Sequence, residues 1–253
     1  MVKLIFLLGL LMCRAAVGAG NELTCYSTEF APYVISQGNR ITGADVEVIS
    51  EAARRAGLHM HIKLLPWVRL ENELKRGNDS EVACAFAYTH NDSRTAYMDF
   101  MQVPLKYTRY VLFAKKGRFP SFTGIADLKG LDVGLRRGFV VPGGFEEMRK
   151  RKEVFVQEVD DDLSNFRKLA IGRIVAIIAN ADAGQNAIAQ LPPSEIVMLE
   201  PAIVETPTYL VLNKAKHLSH WLAPLDAALQ SMQQDGSIKK VREKYLTRNE
   251  TPP

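Results

Sequence analysis

Apolar and polar positions along this chain switch repeatedly between two spacings. Short runs of β-branched and aromatic residues read as strands, and stretches with apolar residues three and four apart read as helices. Leu23 to Ser27 predicts a strand. Gly43 to Arg55 predicts a helix with Val46, Ile49, Ala53 and Ala56 on one face and Gly57 as its stop. A strand over Met60–Leu65, a helix over Val68–Arg76 ended by Gly77, and a strand over Glu81–Ala87 follow. The order β-α-β-α-β predicts a parallel sheet with helices on its faces.

A long extended run comes next, Tyr107 to Lys115, and then a loop to Thr123 with Gly117 and Pro120. The alternation restarts. Strands are predicted over Asp132–Leu135, Val154–Val159, Ile174–Ala179 and Glu195–Leu199, and helices over Gly144–Lys152, Leu163–Ile171 and Ala181–Ala189. Asp160, Asp161 and Asp162 supply the cap for the middle helix. Pro192-Pro193 breaks the chain before the last strand. Tyr209 to Leu212 is a second apolar extended run, similar in place and character to Tyr110–Phe113. Two helices close the chain, Leu218–Gln234 and Ser237–Tyr245, the first with Leu218, Leu222, Leu225, Leu229 and Met232 on one face. The expected fold class is therefore α/β, with two parallel-sheet lobes joined by two hinge strands. The expected division is 1–19 as a leader, 20–108 as lobe one, 109–203 as lobe two, and 204–253 as the return to lobe one with the terminal helices. A ligand would lie between the lobes, where a hinge can close on it.

The leader changes the compartment. Lys3 is a basic n-region, Leu4 to Met12 an apolar core, and Val17-Gly18-Ala19 a small-residue cleavage site. The apolar run is too short to span a bilayer and Arg14 interrupts it. A retained signal anchor is the alternative. Lipidation at Cys13 would want a small residue where Met12 stands. The expectation is a periplasmic protein cleaved near Ala19. Removing residues 1–19 takes away Lys3 and Arg14 and no acid, so the formal charge falls from +4 to +2. That near-neutral balance points to no nucleic-acid partner. The run Arg149–Lys152 follows Phe145 to Met148 in helical register and reads as a solvated face. Cys25 and Cys84 remain after cleavage, both in predicted strands. They would bridge if the strands are neighbours and would otherwise be buried thiols.

The chemistry concentrates at residues 82–100. An apolar strand, Val82 to Tyr88, ends in a polar turn, Thr89 to Ser93, and Arg94 follows. In open α/β sheets ligands bind beyond the carboxyl ends of strands. A guanidinium there offers a rigid fork to a two-oxygen anion. The plainer alternative is a surface arginine paired with Asp92 or Asp99. The five histidines are scattered, and no Gly-x-Ser-x-Gly elbow, phosphate loop or His-Glu-x-x-His motif occurs. No metal or other cofactor is expected. His90 adjoins the proposed site, in a loop.

Taken in order, several segments carry a family resemblance. They are Phe30-Ala31-Pro32-Tyr33, Gly43-Ala44-Asp45-Val46-Glu47-Val48, Pro66-Trp67-Val68-Arg69, and Ser93-Arg94 leading to Asp99-Phe100. Leu128 to Gly134, Arg137-Gly138, Gly172-Arg173-Ile174, Asp235-Gly236-Ser237 and Lys244-Tyr245 complete the set. With this order and spacing the chain resembles the extracellular solute-binding proteins of family 3, the polar amino-acid receptors of ABC importers. The resemblance implies a type II-like periplasmic-binding-protein fold, and a monomer that hands a small carboxylate-bearing, amino-acid-like ligand to an ABC permease. It implies that Arg94 grips the carboxylate, helped by Thr89, that Phe30 stacks on the ligand and that Trp67 fills the next wall. It places Phe139 and Val140 on the opposite lobe, a helix start near Gly143-Gly144 facing the cleft, and Arg136 beside it. One departure stands out. The family usually carries two acids after the Gly-Arg pair, the second to hold an α-ammonium, and this chain has Val175 and Asn180 there. Neutral Asn180 supplies no counter-charge to a buried cation, although Asp182 or Asp160 could. The expected ligand is therefore a carboxylate without the amine, or a modified or larger amine. Two alternatives are an orphan binding or sensor module without a transporter, and an enzyme like the family's periplasmic dehydratase, for which Glu29 is the candidate acid.

Overall fold

The computed structural model describes residues 21–246 apart from residue 142. The expected leader and cleavage site lie outside the described residues. The chain runs β1 (Glu22–Ser27), a hairpin of β2 (Ile35–Gln37) and β3 (Arg40–Thr42), α1 (Ala44–Arg55), β4 (His59–Leu64) and α2 (Trp67–Lys75). Next come β5 (Cys84–Thr89), α3 (Asp92–Thr95), β6 (Met98–Phe100) and β7 (Lys106–Lys115). The second lobe adds β8 (Asp132–Arg136), α4 (Phe145–Lys150), β9 (Phe155–Val159), α5 (Asp162–Ala170), β10 (Ala176–Asn180) and α6 (Ala181–Ile188). The chain returns along β11 (Ile196–Asn213) to α7 (Leu222–Gln234) and α8 (Ser237–Leu246).

The fold is a mixed α/β arrangement in which one curled sheet passes through both lobes. Its strand order is β4-β1-β5-β11-β7-β10-β8-β9, with β6 attached to β11. The β4-β1-β5 and β10-β8-β9 sets are parallel, as βαβ units require. Between them β7 and β11 run antiparallel from one lobe into the other. Each lobe has its own cores. Val46, Ile49 and Ala53 of α1 pack with Leu225, Leu229 and Met232 of α7 in the first. Leu112, Leu135, Phe145 and Ile178 pack together in the second.

Local chemistry explains most element ends. The Asp161 carboxylate caps α5 by accepting from the Ser164 N–H at 2.8 Å. Gly43 opens α1 at φ +124°, and a Cβ there would run into the Tyr33 carbonyl. That close approach seats the 30–34 loop on the start of α1 and brings Phe30, Tyr33 and Asp45 together. The first terminal helix begins at Leu222 and not at Leu218. Pro224 belongs in a first turn, because deeper in a helix its ring would meet the carbonyl four residues back.

Cys25 and Cys84 face each other in register on β1 and β5 and form a disulfide. The bridge closes a separation of 59 residues. Restricting the unfolded chain over such a loop stabilises the fold by about 4 kcal/mol in the chain-entropy account. A Cys25→Ala/Cys84→Ala variant is expected to lose roughly that much, read as a lower urea midpoint. Two free thiols in the untreated protein, with the same midpoint in the variant, would refute the bridge.

Candidate functional site

The site is built at the carboxyl ends of the first-lobe strands. Phe30 follows β1, Trp67 opens α2, Thr89 ends β5, and Arg94 sits in α3. The Asn91 side chain caps that helix by accepting from the Arg94 N–H at 2.9 Å. Within β5 the register against β11 slips between Tyr209 and Leu210, and Ala87 takes up the extra step at φ +68°. A left-handed alanine costs about 1–2 kcal/mol, and bulges of this kind collect beside binding sites. The slip breaks the two-residue alternation. Phe86 enters the core beneath α1 while Tyr88 turns to the other face beside Trp67. Ala87 and Thr89 then line a cavity between the lobes.

Six of the eight positions singled out from the sequence line that cavity: Phe30, Trp67, Thr89 and Arg94 from the first lobe, Phe139 and Val140 from the second. Arg94 is only 5 % exposed. Its Nη1 donates to the Thr89 carbonyl at 3.0 Å and to Thr89 Oγ1 at 2.8 Å. Its Nε and Nη2 reach Glu71 at 3.4 and 3.3 Å, and its guanidinium lies over the Tyr88 ring at 5.0 Å. The carboxylate that pairs with Arg94 is thus Glu71, and neither Asp92 nor Asp99. Tyr97 donates to Glu71 at 2.5 Å, which fixes that carboxylate and raises the Tyr97 hydroxyl, already pushed up by burial. The ion pair is long and holds the guanidinium in place at the cavity wall.

The floor carries a second ion pair. Lys106 Nζ donates to Asp45, and both residues line the cavity at 5 % and 4 % exposure. Burial pushes the Asp45 carboxyl up and the Lys106 ammonium down, and their mutual attraction opposes both shifts. The same Nζ lies 3.2 Å from the centre of the Tyr33 ring. Lys106, Thr108 and Tyr110 share one face of β7, a polar stripe at two-residue spacing that signals a strand facing a wet or ligand-filled space.

The other two positions lie outside the cavity. Asn180 caps α6, its Oδ1 accepting from the Ala183 N–H at 2.9 Å and from the Tyr33 hydroxyl at 3.3 Å. Arg136 crosses to the first lobe, donating to the Glu29 carbonyl at 2.6 Å, and lies 3.6 Å from Asp162. Its guanidinium stacks over Phe30 and Phe139 at 5.3 and 5.1 Å. Gly143 and Gly144 rest against Val204 and Ile125, away from the cavity. The Glu29 carboxylate turns outward to the Ser36 N–H, and the His90 ring lies tilted against Phe100.

The lobes touch directly across the cleft. Trp67 Nε1 donates to the Gly138 carbonyl at 3.0 Å, and the Tyr33 hydroxyl donates to Asp182. Burial, followed by the Asp182 charge, raises the Tyr33 hydroxyl well above its ordinary value. Phe139 stands edge-on to Phe30 and Trp67 at 5.6 and 5.5 Å. The void left inside is about 40 Å³. Among the described residues no group of three His, Cys, Asp or Glu is placed to hold a metal ion, and no helix is long and apolar enough to cross a membrane.

Two α/β lobes sharing a pair of crossing strands, with a buried arginine and aromatic walls in the gap, define a solute receptor. The chain belongs to the bacterial extracellular solute-binding proteins, family 3, whose model matches residues 23–248. It is 23 % identical over 223 residues to the probable amino-acid-binding protein YxeM of Bacillus subtilis, covering 87 % of this chain and 81 % of that one. It is 25 % identical over 209 residues to the L-cystine-binding protein TcyJ of Escherichia coli, covering 82 % and 75 %. Among solved structures, an ancestral arginine-binding protein bound to arginine superposes with a TM-score of 0.75 at 22 % identity, covering 89 % of this chain and 98 % of that one. The fold is that of the periplasmic binding proteins.

Proposed function

We propose that this protein captures a small carboxylate-bearing solute between its lobes and presents it, as a monomer, to an ABC permease. The observation that carries the reading is the Arg94 guanidinium, buried at the wall of a cavity whose lining comes from both lobes. Thr89 and Glu71 orient it, so little ordering entropy remains to be lost when a carboxylate arrives. Phe30 and Trp67 supply the aromatic wall, and Phe139 and Val140 close it from the other side. Ligand affinity for the closed arrangement drives the shift in population.

The preferred ligand lacks a free α-ammonium or carries a modified one. Among the described residues the only carboxylate lining the cavity is Asp45, which Lys106 already engages. Asp182 takes the Tyr33 hydroxyl, and Asn180 caps its helix. An ammonium entering this space would find protein cations and no spare counter-charge, which is costly in a dry site. Calorimetry with the ordinary amino acids and with matched organic acids tests this. Organic acids are expected to bind at least about ten-fold tighter than the corresponding α-amino acids, the worth of one mispaired charged contact. Tight binding of an unmodified amino acid would overturn the ligand class.

A further inference from the structure

Trp67 borders more than the inner cavity. Thr28 and Trp67 line the inner cavity on one side and a second, open crevice of about 490 Å³ on the other. That crevice also spans both lobes. Arg69, Asn72 and Glu73 of α2 line it from the first, and Arg136, Arg137 and Asp160 from the second. Its charges are unevenly matched. Arg137 is held by Asp160 at 2.8 Å, Glu73 by Arg76 at 3.0 Å, and Arg136 has Asp162 at 3.6 Å. The Arg69 side chain has no ion pair or hydrogen bond among the described residues. One unpaired guanidinium therefore stands in a crevice with two others, and closure of the lobes brings these like charges into one space. An anion there would relieve that repulsion and accept from Arg69.

Size argues the same way. Measured alike, one water needs about 10–15 Å³, so the inner void of about 40 Å³ holds a compact head group and the outer crevice has room for the rest of a solute. We infer that the ligand is an elongated solute with an anionic group at each end, one carboxylate on Arg94 in the inner cavity and a second anionic group on Arg69 in the outer crevice. This rests on the assignment of Arg94 made above and adds a second recognition point to it. Trp67, the wall common to both spaces, would run alongside the body of such a solute.

The test is calorimetry with two series of matched chain length: the α,ω-diacids from succinate to suberate and the monoacids from butyrate to octanoate. Wild type is expected to bind one diacid at least about ten-fold more tightly than its monoacid partner, the worth of a charge-assisted hydrogen bond. Arg69→Gln, on an exposed helix face where the fold tolerates change, is expected to lose that preference while keeping monoacid binding. Arg94→Ala is expected to lose both series. Equal binding of the two series by wild type, or a preference that survives in Arg69→Gln, overturns the outer site alone. Failure of wild type to bind either series overturns the Arg94 assignment and this inference with it.

Discussion

Arg94→Ala is expected to weaken carboxylate binding by about ten-fold or more while the protein stays folded. Thr89 and Glu71 take four of the five guanidinium N–H groups, and the charge-assisted hydrogen bond left for a carboxylate, worth roughly 1.5–3 kcal/mol, is lost with alanine. The fold should survive, because Glu71 keeps its bond from Tyr97 and remains within reach of Lys75 at 3.9 Å. Arg94→Lys should also bind weakly. It keeps the charge but cannot donate to Thr89, Glu71 and a ligand at once, since the planar fork is gone. Calorimetry paired with a thermal melt separates the two effects. Unchanged affinity in Arg94→Ala with an unchanged melt would show that the guanidinium serves Glu71 and Thr89 alone.

The largest stability effect is expected from Lys106→Met. This change leaves the Asp45 carboxylate buried with its partner gone, a defect worth about 3–5 kcal/mol, a large share of the 5–15 kcal/mol typical of a folded domain. The loss should depend on pH with a definite sign. Burial already raises the Asp45 carboxyl, and Lys106 is the largest influence pulling it back. In the variant the folded-state value climbs further above the unfolded one. Folding then takes up a proton in the window between the two, so stability falls as pH rises through it. The variant should be nearest to wild type in mild acid and furthest from it at alkaline pH. Replacing both members, Asp45→Leu with Lys106→Met, should recover most of the loss, since the uncompensated charge is gone. Urea unfolding across pH reads all three proteins, and a Lys106→Met curve parallel to wild type at every pH would refute the pairing.

The two-lobed α/β layout was legible because hydrophobic spacing is a local property. Val46, Ile49 and Ala53 announce the buried face of α1, and Tyr107–Lys115 announces a long strand. What lay hidden depends on partners distant in sequence or on strands too short to show a period. The hairpin β2–β3 has three residues to a side. β11 reads as two fragments, because Glu200, Pro201, Glu205 and Pro207 interrupt its apolar pattern, yet it is one 18-residue strand. The place of Arg94 after a strand end is legible in the sequence, but its partner Glu71 lies 23 residues back on another helix. The Asp45–Lys106 pair spans 61 residues, and only the fold brings it together. Asn180 reads from the sequence as a cleft residue and in the structure spends its oxygen capping α6.

The cavity floor and the connection between lobes are the same piece of chain. Thr108 pairs with Thr206 and Lys106 with Thr208 where β7 and β11 cross, and Lys106, Thr108 and Thr208 all face the cavity. On the closure proposed above, by bending of these strands, the seat is also the spring. A substitution made there to favour another solute also resets the resting balance between open and shut, so selectivity and readiness to close are inherited together at these positions.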